Sequence, residues 1–452
     1  MGGAGRTCRT GRRSPPQKIP GGFAAFQSFR RLSTPNFGET QTAPYTRLFS
    51  SAIRLFSLSR ATTAVACSLI FPRDVQSVSE TLTSGPLDAT PEKILVALSG
   101  GVDSAVAALE LVEQGHDVAA AYMKNWMHEE DPFGECPWQE DIRDAEAVAA
   151  HLGIPFRVLN FMADYRERVV NYLVDGYARG LTPNPDVMCN REMKFGVLLD
   201  WALENGFGAV ATGHYCRRAE APAGARFGGG TALLAGVDDN KDQSYFLAMI
   251  TRGQLERAHF PVGHLRKPAV RGRARAAGLP NAGKKDSQGI CFIGKVRMNE
   301  FLRQYIPDRP GEIVNAAGEV LGTHRGLHRY TIGQRRGIGL PSNSDFNHYV
   351  VIAKNVAANR LVVAFEQDRP AALWHAEVGL HRINWIAGAP PAAPVDLHCK
   401  VRYRDPSVEA RFEPDGPDSG RLRFKEEQRG LAGGQVCALY DGERLLGGGI
   451  YP

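Results

Sequence analysis

Two features of this chain have the residue types and spacing for chemistry. The first is Ser99-Gly100-Gly101-Val102-Asp103-Ser104. Glycines let the backbone approach an oxyanion closely, and a helix opening just after them offers unpaired N–H groups and a partial positive charge, to which Ser99 and Ser104 add hydroxyls. The hexapeptide reads as a phosphate cradle. It lacks the Gly-Lys-Ser/Thr ending of a Walker A loop and the GxGxxG spacing of a dinucleotide site, which disfavours γ-phosphate transfer and NAD binding. The second feature is a pair of cysteines. Cys189 follows the loop Thr182-Pro183-Asn184-Pro185-Asp186-Val187-Met188, close to the start of a helix expected over Glu192 to Glu204, whose dipole would favour the thiolate. Asp186, three residues before the thiol, is placed to move a proton. Cys291 closes the run Lys284-Lys285-Asp286-Ser287-Gln288-Gly289-Ile290-Cys291, where neighbouring lysines would lower its pKa. A lone cysteine is usually an inert small hydrophobe. Two such thiols beside a nucleotide cradle imply sulfur transfer.

The elements that must position these groups are legible around them. Ile94 to Leu98 is a short apolar run. After the glycine turn, Val102, Val106, Leu109 and Val112 recur at helical spacing until Gly115. The alternation repeats, with strands expected at Val118 to Met123, Phe156 to Phe161 and Ala209 to Thr212. The intervening helices are Gln139 to Leu152, Tyr165 to Tyr177 and Glu192 to Glu204. Four strands separated by helices predict a parallel sheet covered on both faces, Rossmann-like in class. Ligands of such sheets bind at the carboxyl ends of the strands. Met123-Lys124-Asn125-Trp126 and Thr212-Gly213-His214-Tyr215 fall there, with Met123 and Gly213 suited to adenine or ribose contact through backbone groups. Residues 217 to 231 read as an irregular Ala/Gly-rich loop. Beyond about Gly294 the helical signal fades. Glu312 to Gly322, Tyr349 to Phe365 and the alternating stretches of 376 to 452 then predict a small central domain and a C-terminal antiparallel β-barrel. The domains expected are 1–90 (leader and linker), 91–294 (catalytic), 295–370 (central) and 371–452 (barrel).

Charge separates the chain further. The 452 residues carry a net +6, but residues 1 to 73 hold 11 basic residues and one acid, so the remainder has 43 Lys+Arg against 47 Asp+Glu. An acid-poor leader rich in Arg and Ser, with a basic amphipathic stretch from Arg47 to Arg60, has the composition of an organellar transit peptide, mitochondrial in preference to plastid. Residues 252 to 336 hold 17 basic and 6 acidic residues, which reads as a phosphate-tracking surface. No apolar run approaches the ~20 residues of a membrane span. The eight cysteines are never closer than 27 positions, which excludes CxxC metal patterns. No magnesium cage built from protein ligands alone is legible.

The glycine hexapeptide is similar to the signature of PP-loop ATP pyrophosphatases, which split ATP into AMP and pyrophosphate while adenylating a carbonyl oxygen. That class includes synthetases of small metabolites. Together with TPNPDxxCN (from Thr182), KKDSxGICFIG (from Lys284), MKNW, ATGHY, NKDQSYFL (Asn240 to Leu247) and YTIGQRxG (Tyr330 to Gly337), the chain from about Lys93 to Pro452 resembles the tRNA-specific 2-thiouridylase family. The resemblance implies ATP, with Mg²⁺, bound by Ala97, Leu98, Ser99, Gly100, Gly101, Val102, Asp103, Ser104, Met123 and Gly213. It implies adenylation of the wobble-uridine C2 oxygen, a persulfide on Cys291, Cys189 as nucleophile, Asp186 as proton-transfer group, and a Cys189–Cys291 disulfide left to be reduced. Asn184, Pro185 and Asp186 would surround the flipped base. His214, Lys241, Asp242, Gln243, Arg402, Tyr403 and Gln435 would contact tRNA. The implied partners are tRNAs for Lys, Glu and Gln and a cysteine desulfurase relay. The family usually has Pro-Gly-Gln where this chain has Gly433-Gly434-Gln435, a change expected to loosen the loop around Gln435. A metabolite synthetase would have no use for the two cysteines, and a catalytically inactive tRNA-binding protein would have no use for an intact cradle.

Overall fold

The structure, a computed structural model, describes residues 92–126, 137–286, 298–341 and 347–452. The expected leader and Cys291 lie outside the described residues.

The catalytic half is built on a parallel sheet. Strands β1 (Lys93–Ala97), β2 (Asp117–Lys124), β3 (Phe156–Asn160) and β4 (Ala209–Ala211) stand where the apolar runs predict them. Successive residues of β1 are buried on opposite faces, as the period of two requires. Ile94 and Val96 pack with Val106, Leu109 and Val148 of helices α1 (Val102–Glu113) and α2 (Pro137–Leu152). Leu95 packs with Tyr165, Leu173 and Leu198 of the helical runs 162–178 and 185–204.

Four departures from the sequence reading matter. The stretch 217–231 is not an irregular loop: β5 (Cys216–Ala221) and β6 (Gly230–Ala235) form a hairpin, hidden in the sequence because the consecutive Arg217 and Arg218 and the small residues around them break the apolar–polar alternation. A fifth parallel strand, β7 (Ala258–His259), extends the sheet to the order β3-β2-β1-β4-β7; two residues are too few for a periodic signal. The helical run containing Cys189 starts at Pro185 rather than Glu192, because Pro185 is tolerated at the first helical position and Asn184 Oδ1 accepts the Val187 N–H at 3.2 Å as N-cap. A short helix, Met298–Arg303, lies where helical periodicity had faded.

The central sheet, β8 (Gly311–Val314), β9 (Val320–His324), β10 (Tyr349–Asn355) and β11 (Arg360–Phe365), has the order β10-β11-β8-β9. The last six strands are β12 (Trp374–Trp385), β13 (Val395–Lys400), β14 (Val408–Pro414), β15 (Gly420–Arg429), β16 (Val436–Asp441) and β17 (Arg444–Ile450). They close through β12–β17 into a six-stranded antiparallel barrel. Closure removes the exposed edges that would otherwise invite pairing. The β5–β6 hairpin adds to this barrel, with Leu233 opposite Leu445 and Leu234 opposite Arg444, so the catalytic half sends two strands into the C-terminal one. No helix among the described residues is long and apolar enough to cross a membrane.

One buried ion pair joins the two halves. Asp242 accepts hydrogen bonds from Gly236 N (3.1 Å), Ser244 N (3.0 Å) and Ser244 Oγ (3.0 Å), and pairs with Lys400 Nζ of β13 at 2.7 Å. Removing one partner of such a pair strands the other charge. Lys400→Met should therefore destabilise the protein by about 3 kcal/mol, read as a lowered urea midpoint, with Asp242→Asn in the same chain recovering part of the loss. A midpoint unmoved by Lys400→Met would show that the carboxylate does not need its cation.

Candidate functional site

In the strand order β3-β2-β1-β4-β7, the chain turns to opposite sides of β1 and β4, and a crevice opens there at the carboxyl ends. The glycine loop fills one side of it. Gly100 has φ +74°, and a Cβ there would lie 2.5 Å from Asp141 O, so this turn needs glycine on both counts. Ser104 Oγ accepts from Ser99 N at 3.2 Å and donates to Gly101 O at 3.1 Å. Its hydroxyl thus shapes the loop, while Ser99 faces solvent. Leu98 N donates to Ala121 O at 2.9 Å, continuing the ladder from Ala97 into the turn that Val102 closes. Gly213, after β4, lies so close that a Cβ would meet Ser104 N at 2.6 Å. Its absent side chain lets β4 and α1 approach. Met123 is buried in the core, leaving only its backbone for a ligand.

Several residues that the motifs did not single out complete this rim. Asp103 Oδ1 accepts from Tyr215 Oη at 2.8 Å and from Lys267 Nζ at 2.6 Å, and Asn281 Nδ2 donates to Gly100 O at 3.0 Å. Burial and the Asp103 carboxylate push the Tyr215 phenol far above its ordinary pKa, so it remains a donor. Sequence spacing carries no signal for these contacts, since Lys267 and Asn281 lie far along the chain from the loop.

The thiol turn is stitched from three sides. Thr182 N donates to Gly433 O at 2.7 Å and Gln435 Nε2 donates to Thr182 O at 2.7 Å, both from the barrel, while Thr182 Oγ1 meets Thr331 Oγ1 at 3.3 Å. Lys354 Nζ donates to Gly180 O at 2.9 Å, and burial pulls its pKa down to about 8. Asp186 is half-buried in the first turn of the helical run that Pro185 opens. Cys189 is fully buried in one cluster with Leu95, Met123 and Tyr165, a full turn inside that run. The dipole argument therefore weakens, because the effect fades beyond the first turn. Residues Cys189–Val197 are wound as a π-helix, a rare form that concentrates at functional sites.

The residues expected to face tRNA divide into two groups. Tyr403 packs on Phe246 with ring centroids 4.1 Å apart and planes tilted by 46°. Arg402 reaches Asp405 at 2.8 Å and Arg429 O at 3.3 Å. Together with Gln435, the Arg402-Tyr403 loop gathers around the thiol turn. The others point elsewhere. Asp242 is internal, Gln243 Oε1 accepts the Tyr215 N–H at 3.0 Å, and Lys241 pairs with Asp286 at 2.7 Å. His214 is buried, with Nδ1 at 2.7 Å from Thr212 Oγ1; burial, then the Lys194 charge, drive its pKa well down, so it is neutral at pH 7. Lys194 thereby joins the neighbourhood from within the π-wound segment. The basic stretch 252–336 is not one uninterrupted phosphate-facing surface either. Lys267 pairs with Asp103, Arg273 with Glu110 and Glu113, Lys284 with Asp141 and Asp144, Arg329 with Asp308, and Arg335 with Glu366. Asp103, Glu110, Glu113, Asp141 and Asp144 of the acidic segment are folded against it.

A glycine cradle at the switch point of a parallel sheet, followed by two β domains, defines a nucleotide-binding α/β enzyme with C-terminal barrels. Family models agree in order. Residues 92–295 match the tRNA methyl transferase HUP domain, 299–365 the tRNA methyl transferase PRC-barrel domain, and 376–451 the aminomethyltransferase beta-barrel domain. A tRNA-specific 2-thiouridylase MnmA of Akkermansia muciniphila is 53% identical over 359 residues, covering 79% of this chain and 98% of that one. Its namesakes in Pseudomonas savastanoi pv. phaseolicola and Alkalilimnicola ehrlichii are 43% identical (81% and 95% covered) and 44% identical (79% and 97% covered). The chain belongs to the tRNA-specific 2-thiouridylase MnmA family.

The Gly433-Gly434 departure does not loosen its loop. Gly434 N donates to Tyr451 O at 2.9 Å and Tyr451 N to Gln435 O at 3.0 Å, and a Cβ on Gly433 would collide with Pro452 O. Gly434 has φ +86°, and a Cβ there would lie 3.0 Å from the Leu181 Cβ and 3.2 Å from Thr182 N. Gly434→Ala should cost about 1–3 kcal/mol through strain and slow the enzyme by shifting Thr182. Wild-type stability and turnover in this variant would show that the barrel does not set the thiol turn.

Proposed function

We propose that this chain is an ATP-dependent tRNA-uridine 2-sulfurtransferase acting on the wobble uridine. The observation that carries the reading is spatial: Cys189 lies in one core cluster with Leu95 of β1, the strand that runs into the glycine cradle, and Met123 near the carboxyl end of the neighbouring β2. A thiol and an anion site thus share one end of one sheet. Adenylation and sulfur transfer need that proximity.

In this reading the C2 oxygen attacks the α-phosphorus of ATP and pyrophosphate departs. The N–H groups at the start of α1 and the rim cations stabilise the phosphate charge. The outer sulfur of a Cys291 persulfide then bonds to C2 as AMP leaves with the oxygen. The Cys189 thiolate attacks Cys291 Sγ, the bond from that Sγ to the transferred sulfur breaks, and 2-thiouridine is released with a Cys189–Cys291 disulfide left for an external reductant. Asp186, in the first turn before Cys189, handles the proton. Asn184 and Pro185 shape the turn beside the base, and extruding an unpaired anticodon base costs only a few kcal/mol. Among the described residues no group of three or more His, Cys, Asp or Glu could hold a metal. Mg²⁺ would therefore ride on the nucleotide phosphates with at most one or two carboxylates, its usual habit. Acceptors for Lys, Glu and Gln and a cysteine desulfurase relay complete the proposal.

Cys189→Ser should reduce 2-thiouridine in tRNA below detection by nucleoside mass spectrometry while the protein still adenylates tRNA, and Ser99→Ala with Asp103→Ala should abolish both. Persisting 2-thiouridine in Cys189→Ser would refute the assignment. The leader composition supports an organellar, preferably mitochondrial, address. A fluorescent fusion of residues 1–90 should then collect in mitochondria, and a fusion spread through the cytosol would overturn that address.

A further inference from the structure

Three cations meet on one carboxylate at the rim of the glycine loop. Asp286 receives Lys241 Nζ at 2.7 Å on Oδ2, and Lys267 Nζ and Arg271 Nη2, each at 2.8 Å, on Oδ1. Lys267 also reaches Asp103 Oδ1 at 2.6 Å, which sets its ammonium one side chain away from the N–H groups of the cradle. It is held there firmly: its backbone N–H donates to Asp238 Oδ2 at 2.8 Å, and its side chain is only 11% exposed. Arg271 stands one helical turn further along Lys267–Ala276, on the same face. Its other guanidinium nitrogen donates to Lys284 O at 3.0 Å.

Lys241, Lys267 and Arg271 meet the carboxylates of Asp103 and Asp286, with Asp238 on the Lys267 backbone N–H, so three carboxylates already balance the three cations. Cations gathered for an anionic ligand repel one another when no ligand is there, and a carboxylate among them relieves that repulsion. Burial would raise the Asp286 carboxyl, but the hydrogen bonds from Lys241 and Lys267 outweigh it and hold the group far below the usual carboxylate range. Asp286 is an ionised oxyanion on donors beside a phosphate loop.

We propose that Asp286 is an internal stand-in for the polyphosphate of ATP, and that Lys267 and Arg271 are the residues that bind the β- and γ-phosphates once the nucleotide displaces it. This rests on the reading of the chain as an ATP-using thiouridylase. No covalent bond changes: phosphoryl oxygens replace carboxylate oxygens on the same donors, and an arginine fork suits either partner. Asp286 lies five positions before Cys291.

The exchange is tested by calorimetric titration of the full chain with three probes: an ATP analogue uncleavable at the α,β bridge, inorganic pyrophosphate, and AMP. Lys267→Gln and Arg271→Gln should each weaken the analogue and pyrophosphate about tenfold and leave AMP within about twofold. Asp286→Asn should tighten the analogue and pyrophosphate about threefold, an effect that disappears when combined with Lys267→Gln. Circular dichroism on each variant separates lost binding from lost fold. If wild type binds the analogue but Lys267→Gln binds it equally well, or if Asp286→Asn weakens it, the exchange is wrong and the thiouridylase reading stands. If wild type binds neither analogue nor AMP, both fall.

Discussion

The arrangement of the catalytic turn depends on a pair of long-range hydrogen bonds, in which Gln435 Nε2, 253 residues away, and Gly433 O of the barrel grip the peptide groups of Thr182. A loop with Pro183 and Pro185 can offer few N–H groups to a ladder of its own. Its backbone must be satisfied from outside, and the barrel and Lys354 do this, while Thr331 holds the Thr182 side chain. The C-terminal domain is thus part of the site's geometry even where it touches no substrate. The β5–β6 hairpin, paired to β17, and the buried Asp242–Lys400 contact fix the barrel against the sheet so that this grip has a defined position.

Charge follows a similar logic. Read along the chain, 74–251 is acidic and 252–336 is basic, which looks like an inert half beside an RNA-facing half. Folded, Arg273 lies on Glu110 and Glu113 of α1, and Lys284 on Asp141 and Asp144 of α2. Lys267, Arg273 and Lys284 are in this way neutralised by acids of the preceding segment. Exposed pairs of this kind contribute little stability each, but they consume cations that a segment count assigns to phosphate.

How much was legible in the sequence follows from the range of each interaction. Strands β1 to β4 and helices α1 and α2 were readable because a strand buried on both faces and an amphipathic helix each leave a local period. The glycine loop was readable because its φ and its closeness to Asp141 demand glycine. The β5–β6 hairpin, the two-residue β7 and the start of the run at Pro185 were not, since each depends on a partner strand or a cap rather than on periodicity. Asp242 and Gln243 sit in a motif that resemblance ties to tRNA, yet their side chains turn inward to hold Ser244 and Tyr215. A motif records that a residue is needed without recording whether substrate or scaffold needs it.

Buried amides left without partners mark where substrate is still owed. Asn125, just past β2, is 1% exposed and pairs neither side-chain atom among the described residues; Asn190, beside Cys189, leaves Oδ1 unpaired, and so does Asn281, which grips Gly100. An unsatisfied buried polar atom costs about 1–3 kcal/mol, and native structures contain few. All three lie on segments that border the crevice or the thiol turn rather than in the barrel or the central sheet. Ligands that supply those missing hydrogen bonds would recover that cost on binding. Unpaired polar atoms also occur at His324 of the central sheet and Trp374 of the barrel, so it is the position of these three amides beside the glycine loop and Cys189, not the lack of partners alone, that ties them to a nucleotide and a base.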